Sequence, residues 1–236
     1  MKIHNVDLIN SNLKNVDIYK ECVVTEDFWK IPSKIVTNTE YLSQPTEKVE
    51  SLELGEKIAA KLIYTLNQIN RKKKLGIGLT ANQIGISASV FVIDIVEQKY
   101  FINPEIIEVS ENKARYKENC LSLPNKTCLV QRHVRVKVKA DNLKEPEWFG
   151  VEYDGNPIEE EKLLEAIVIQ HEYNHTHGIL ITDLDETPQP IIVDKVYGRN
   201  ELVKIKKDNE IKEIKYKKYD IYKKDGWDLI SFSVIK

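Results

Sequence analysis

The segment Gln170-His171-Glu172-Tyr173-Asn174-His175 constrains this chain more than any other. Two histidines stand four residues apart, with a glutamate directly after the first. On an α-helix, positions four apart share a face, so both imidazoles can grip one metal ion. Glu172 sits one step round, where its carboxylate can reach a water on that ion. His-Glu-x-x-His therefore reads as a hydrolytic metal site.

The bulk composition narrows the class. The chain has 236 residues, 42% hydrophobic and 31% charged, which is globular material with enough for a core. A net charge of -2 argues against a generic nucleic-acid binder, so no direct nucleic-acid specificity is expected. Three cysteines, Cys22, Cys120 and Cys128, make a disulfide framework a poor reading. The N-terminus opens no apolar run of signal-peptide length, and no stretch approaches the roughly 20 apolar residues of a membrane span. A reducing cytoplasm and no membrane partner are the expectation. An organelle or a virus-infected host cell are the other compartments the sequence admits.

Two helices stand out. Leu52, Ile58, Ala59, Leu62, Ile63, Leu66 and Ile69 recur at helical spacing, with Glu56, Lys57, Lys61 and Gln68 between them. Arg71-Lys72-Lys73-Lys74 then reads as a solvated helix end. The second helix runs from Glu159 to His177, with Glu159, Glu160 and Glu161 at its start and Gly178 as its stop. Ser89–Ile95 and Phe101–Asn103 read as strands, as does the Val/basic alternation of Val134–Lys139. Residues 1–33 resist assignment. Thr187-Pro188-Gln189-Pro190 marks a boundary. Beyond it Leu202–Lys206 and Ile214–Lys217 read as strands around an Asp208-Asn209 turn, with a short helix at Tyr219–Lys224 stopped by Gly226.

Two histidines need a third protein ligand. A metzincin-like site needs a histidine where Ile181 stands. The downstream acids Asp183, Asp185, Glu186 and Glu201 lie on no evident helix at a suitable distance. The upstream segment Glu118-Asn119-Cys120-Leu121-Ser122-Leu123-Pro124 offers a thiolate instead.

Three segments resemble the signature motifs of peptide deformylase. Gly76-Ile77-Gly78-Leu79-Thr80-Ala81-Asn82-Gln83 resembles that family's Gly-x-Gly-Leu-Ala-Ala-x-Gln. Glu118-Asn119-Cys120-Leu121-Ser122 resembles Glu-Gly-Cys-Leu-Ser. Gln170 to Gly178 resembles Gln-His-Glu-x-Asp-His-Leu-x-Gly. A lone His-Glu-x-x-His is a weak signal, but three motifs in order are a strong one. The resemblance covers about residues 34 to 185.

It implies an α+β fold, with antiparallel β-sheets packed around a central helix that carries the histidine pair. It implies hydrolysis of the formyl group from N-formylmethionyl peptides. Cys120, His171 and His175 would hold one divalent ion, Fe(II) first, with Zn(II), Ni(II) or Co(II) as other ions such a site accepts. Glu172 would be the general base and acid. Gln83 and the backbone N–H of Leu121 would stabilise the oxyanion. Gly78, Glu118, Leu164, Ile167 and Val168 are the expected substrate-binding residues. Arg132 could pair with Glu118 and brace the metal loop. His177, Cys22 and Cys128 read as ordinary residues. The rival readings are a His-Glu-x-x-His metallopeptidase and a catalytically altered deformylase-like binding protein.

Four positions depart from the pattern: Thr80 and Thr176 replace an alanine and a leucine, Asn119 a glycine, and Asn174 an aspartate. Asn119 matters if its position needs positive φ, and Asn174 because it turns a charged acceptor into a neutral one. The expected organisation is an N-terminal extension (1–33), a catalytic domain (34–190) and a lysine-rich tail (191–236). The tail's lysines and Trp227 suggest the ribosome as a further partner.

Overall fold

Apolar residues at helical spacing set the two long helices, and short β-branched runs set the strands between them. The computed structural model describes residues 1–11, 17–73, 76–152, 159–186, 200, 202–208 and 210–230. The chain divides into two compact units, Met1–Thr187 and Pro188–Lys236.

The first unit begins with β1 (Lys2–Ile3), α1 (Val6–Ile9), α2 (Glu26–Lys30), α3 (Thr39–Leu42) and the long α4 (Leu52–Lys73). There follow β2 (Gly78–Thr80), β3 (Ile86–Ser87), β4 (Val90–Asp94), β5 (Gln98–Ile102) and β6 (Glu105–Val109). Next come β7 (Lys113–Cys120), β8 (Leu123–His133), β9 (Arg135–Lys139), β10 (Glu147–Gly150) and α5 (Glu160–Thr176). The strands form small antiparallel sheets: β2-β4-β5, β10-β9-β6, the β7-β8 hairpin and the β1-β3 pair.

α5 lies at the centre, packed against β2, β4, β8, β9 and β10. Every residue from Glu165 to Glu172 is buried, so the helix has no solvent face over two turns. A helix buried all round belongs inside a core. Ala166, Val168 and Ile169 join Phe91, Ile93, Phe101, Val136, Val138 and Phe149 in one apolar cluster. This is the expected α+β arrangement. The strand expectations over 89–95, 101–103 and 134–139 correspond to β4, β5 and β9, with ends shifted by up to three residues. The alternation of β9 buries Val136 and Val138 and turns its basic residues outward. α5 stops where Gly178 adopts φ +71, and a Cβ there would collide with the Ser43 carbonyl.

α4 corrects the sequence reading at two positions. Leu52, expected in the core, is 46% exposed, while Lys61, read on the polar face, is 1% exposed. The reason lies in the first 33 residues. Phe28 and Trp29 of α2 lie over α4, and the Lys61 ammonium donates to the Phe28 and Ile31 carbonyls and sits 4.3 Å from the Phe28 ring centroid. The extension also supplies Ile3 and Ile9 to two apolar clusters. Of the basic run after α4, Arg71 is exposed; Lys74 lies outside the described residues.

The second unit holds β11 (Leu202–Lys207), β12 (Glu210–Lys215), α6 (Tyr219–Lys224) and β13 (Asp228–Ile230), in the sheet order β12-β11-β13. The second tail strand starts four residues earlier than expected, and its end at Tyr216 becomes a 3₁₀ turn. Trp227, expected on a docking surface, is 6% exposed and packs with Val203, Ile205 and Ile214. So small a sheet needs its one large indole as core. Thr187–Pro190, Glu201 and Asn209 lie outside the described residues.

Burial lowers the Lys61 pKa to about 8. Between pH 8 and pH 10 the unfolded chain therefore binds more protons at this lysine than the native one, and stability rises with pH. Read as the difference between wild type and Lys61→Met in urea unfolding, this lysine's contribution is expected to rise by on the order of 2 kcal/mol across that window, at about 1.4 kcal/mol per pKa unit.

Candidate metal centre

β-Strand alternation places the cysteine. Along β7, Glu118 and Cys120 are buried on one face and Asn119 between them is exposed. The β7-β8 register shifts between Asn119 and Cys120, a bulge that redirects the cysteine at the hairpin tip. Leu121 and Ser122 form the two-residue turn that follows. Asn119 is not among the positive-φ residues, so the glycine that the motif has here is not needed for backbone reasons. Its side chain instead accepts a bond from Thr127 Oγ1 across the hairpin at 2.6 Å.

α5 supplies the other two ligands. Cys120, His171 and His175 are all buried, and their ligand atoms lie within 4.8 Å of one another. Cys120 Sγ is 3.2 Å from His175 Nε2. Metal–ligand bonds of about 2.0–2.3 Å suit a cluster of this size. It is the one group of three such side chains among the described residues.

A buried polar chain stands behind the ligands. His171 Nδ1 donates to Glu118 Oε2 at 2.8 Å, which fixes the tautomer and leaves Nε2 for an ion. Arg132 Nε donates to Glu118 Oε1 at 2.7 Å and Nη2 to Oε2 at 3.0 Å. Arg132 Nη1 donates to Asn174 Oδ1. The suggested Arg132–Glu118 pair is thus present, and Asn174 retains the acceptor that an aspartate would offer. Glu118 corrects the sequence reading. Expected beside the substrate, it is 5% exposed and commits both oxygens to Arg132 and His171, so it braces a ligand.

The charged groups of the centre shift one another. Burial resists a proton on His171, but its bonds to Cys120 and Glu118 outweigh burial and push its pKa up to about 10. Burial and the neighbouring His171 charge hold His175 well below the usual histidine range. With ring centroids 5.1 Å apart, the two imidazoles cannot comfortably share two protons. Despite burial, bonds from His171 and Arg132 keep the Glu118 carboxyl below its usual range. Burial pushes Glu172 up, against the opposing pull of His171 and Thr80.

β2 and the 3₁₀ turn after it (Ala81–Ile84) wall the other side. Gln83 is 1% exposed. Its Oε1 accepts from the Thr80 N–H at 2.8 Å, and its Nε2 donates towards Ser122 Oγ at 3.2 Å and Cys120 Sγ at 3.5 Å. The amide thereby points into the ligand cluster. Asn82 Nδ2 donates to the His175 carbonyl at 2.8 Å. A Cβ on Gly78 would collide with Glu172 Oε1 and lie 2.9 Å from Val168 Cγ1, so only glycine fits there. Ile167 is buried and Leu164 half-buried against the central cluster.

Sequence reasoning missed two clamps on α5. Gln170 accepts from the His133 N–H at 3.0 Å and donates to the His133 carbonyl at 2.8 Å, joining the helix to the end of β8. Thr80 Oγ1 donates to Glu172 Oε2 at 2.6 Å. Both residues lie inside quoted motifs, but nothing in the spacing reveals their partners. Of the other positions weighed for a third ligand, Glu201 lies outside the described residues and the rest stand outside the cluster. Ile181 is 3% exposed in an apolar cluster with Leu42 and Leu180. Asp183 accepts from the Leu180 N–H, Asp185 from the Leu129 N–H, and Glu186 pairs with Arg115. His177 is exposed, off the metal face.

A family model described as polypeptide deformylase matches residues 32–189. The chain is 36% identical over 149 residues to the peptide deformylase of Phenylobacterium zucineum, covering 60% of this chain and 78% of that one. It is 38% identical over 157 residues to the peptide deformylase of Natranaerobius thermophilus, covering 65% of this chain and 92% of that one. A crystal structure of peptide deformylase from Thermotoga maritima aligns with a TM-score of 0.54 at 30% identity, covering 66% of this chain and 99% of that one.

Glu118→Gln tests the brace. The amide keeps the shape and removes the charge that orients His171. Metal affinity, measured by competition with a chelator, is expected to fall by about 10–100-fold. Unchanged affinity would show that His171 needs no carboxylate behind it.

Proposed function

The chain belongs to the polypeptide deformylase family, and we propose that it removes the formyl group from N-formylmethionyl peptides of nascent proteins, releasing formate. One observation carries this reading. The buried Cys120-His171-His175 cluster has Glu172 on the helix that carries both histidines and the Gln83 amide pointing into it.

A divalent ion held by those three residues supplies Lewis-acid polarisation of a carbonyl and acidifies a water. Fe(II) is the ion we assign, with Zn(II), Ni(II) and Co(II) as substitutes the mixed sulfur and nitrogen set accepts. Glu172 takes the proton of the attacking water and passes it to the departing amine. Its raised pKa suits a group that must both accept and return a proton. Gln83 Nε2 and the Leu121 N–H stabilise the negative charge that develops on the formyl oxygen. To do so, Gln83 must turn one N–H from Cys120 or Ser122 towards the substrate. The bare Cα of Gly78 lets a peptide backbone run close to Glu172, and Leu164, Ile167 and Val168 line the methionine side chain.

We assign residues 34–190 as the catalytic domain, with an extension before it and a lysine-rich tail at 191–236; the family match over 32–189 supports this. The cytoplasm is the compartment we assign. In support, Cys22, Cys120 and Cys128 are all free thiols, and no described helix is long and apolar enough to cross a membrane. The tail's exposed lysines, among them Lys204, Lys206 and Lys215, suit an anionic partner such as the ribosome.

Protein loaded with Fe(II) or Ni(II) is expected to release formate from a formyl-Met peptide. Glu172→Gln should keep the metal and lose about 10²–10⁴ in kcat. Cys120→Ser should lose the metal, whereas a metallopeptidase built on the helix alone would retain it. No turnover with metal demonstrably bound would sink the deformylase reading. For the tail, deletion of residues 191–236 is expected to reduce co-sedimentation with ribosomes, and unchanged co-sedimentation would end that assignment.

A further inference from the structure

Glu172 has two carboxylate oxygens, and β2 treats them differently. Gly78 and Thr80 are two apart on that strand and so face α5 together, while Leu79 points into the opposite core. The Thr80 hydroxyl, wholly buried, donates its proton to Glu172 Oε2 at 2.6 Å. The backbone carbonyl of Glu172 lies 3.2 Å from the same hydroxyl. Glu172 Oε1 lies instead against the bare Cα of Gly78. Among the described residues, Thr80 alone donates a hydrogen bond to this carboxylate.

We propose that Thr80 is a positioning residue that divides the carboxylate, anchoring Oε2 so that Oε1 is the oxygen that accepts and returns the proton. This deepens the deformylase reading and rests on it. The terminal torsion of a glutamate is broad and nearly two-fold, so an unanchored carboxylate can present either oxygen or neither squarely. One short bond from a buried hydroxyl removes that freedom at the cost of one acceptor site. The alanine that the motif resemblance places here has no such donor. The same residue also donates its backbone N–H to Gln83 Oε1 at 2.8 Å. That bond would survive any side-chain change short of proline, so the hydroxyl can be tested separately.

The test compares Thr80→Val, Thr80→Ala and Thr80→Ser at matched metal content. Val keeps the shape and removes the hydroxyl, Ala removes both, and Ser keeps the hydroxyl alone. Val and Ala are expected to lose about tenfold in kcat on a formyl-Met peptide with KM changed by less than about twofold. Ser should recover most of that loss. Metal-free crystal structures supply a second readout, in which the Glu172 carboxylate is expected to rotate away from its wild-type position in Thr80→Val and to stay in Thr80→Ser. Full kcat in both Val and Ala would overturn the proposal, as would a Ser variant as poor as Val, or an unmoved Glu172 in Thr80→Val. If the wild type releases no formate, the deformylase reading fails on its own account, and the metal-free structures still decide whether Thr80 holds Glu172.

Discussion

Glu118 bears a buried negative charge between Arg132 and His171, and the metal centre is organised around it. A carboxylate at 5% exposure pays a large desolvation penalty unless its oxygens are filled. Arg132 fills both in a bidentate pair, and His171 adds a third bond. The consequences run outward from there. His171 is held in one tautomer, and Arg132 reaches on to Asn174 on the next turn of α5. The hairpin that carries Cys120 is thereby tied to the helix that carries the histidines. Replacing an aspartate by Asn174 is tolerable in this setting because the guanidinium already has a full carboxylate partner in Glu118.

The rest of the unit serves to keep α5 still. Sheets pack on several sides of it, and Gln170 and Asn82 fasten it by polar bonds at two levels. These bonds run between side-chain amides and backbone groups, which suits a region where a stray charge would be expensive. The catalytic geometry is therefore built on rigid elements. Of the groups assigned to the chemistry, two come from turns: Gln83 from the single 3₁₀ turn Ala81–Ile84 and the Leu121 N–H from a turn only two residues long.

Much of this was legible in the sequence, for identifiable reasons. The histidine pair announces itself because a helix period of 3.6 makes i and i+4 neighbours. Cys120 became a ligand through the company of its motif. What stayed hidden was pairing over long separations. Glu118 was expected beside the substrate from its place in the Cys120 motif, and a motif does not show that Arg132 and His171 fill its oxygens. Lys61 looked solvated because a helical wheel cannot show that Phe28 and Ile31 arrive over it with two carbonyls. Trp227 looked available for docking because its role as core depends on strands whose ends were misplaced. The β7-β8 hairpin went unread since its burial pattern, with four exposed residues running from Pro124 to Thr127, breaks clean alternation.

The Glu118–His171 bond has a consequence for how the ion and the fold relate. Glu118 and His171 are 53 residues apart, and Cys120 and His175 are 55 apart. The bond to Glu118 thus closes nearly the same loop that the ion would close. Chain entropy lost in joining hairpin to helix is spent during folding, and little remains to be lost when a cation arrives. Small zinc domains are the opposite case, since there the ion itself closes the loops and the chain is unfolded without it. Here the polypeptide is a ready-made chelator, and nearly all of its affinity can go into holding the ion rather than into gathering its own ligands.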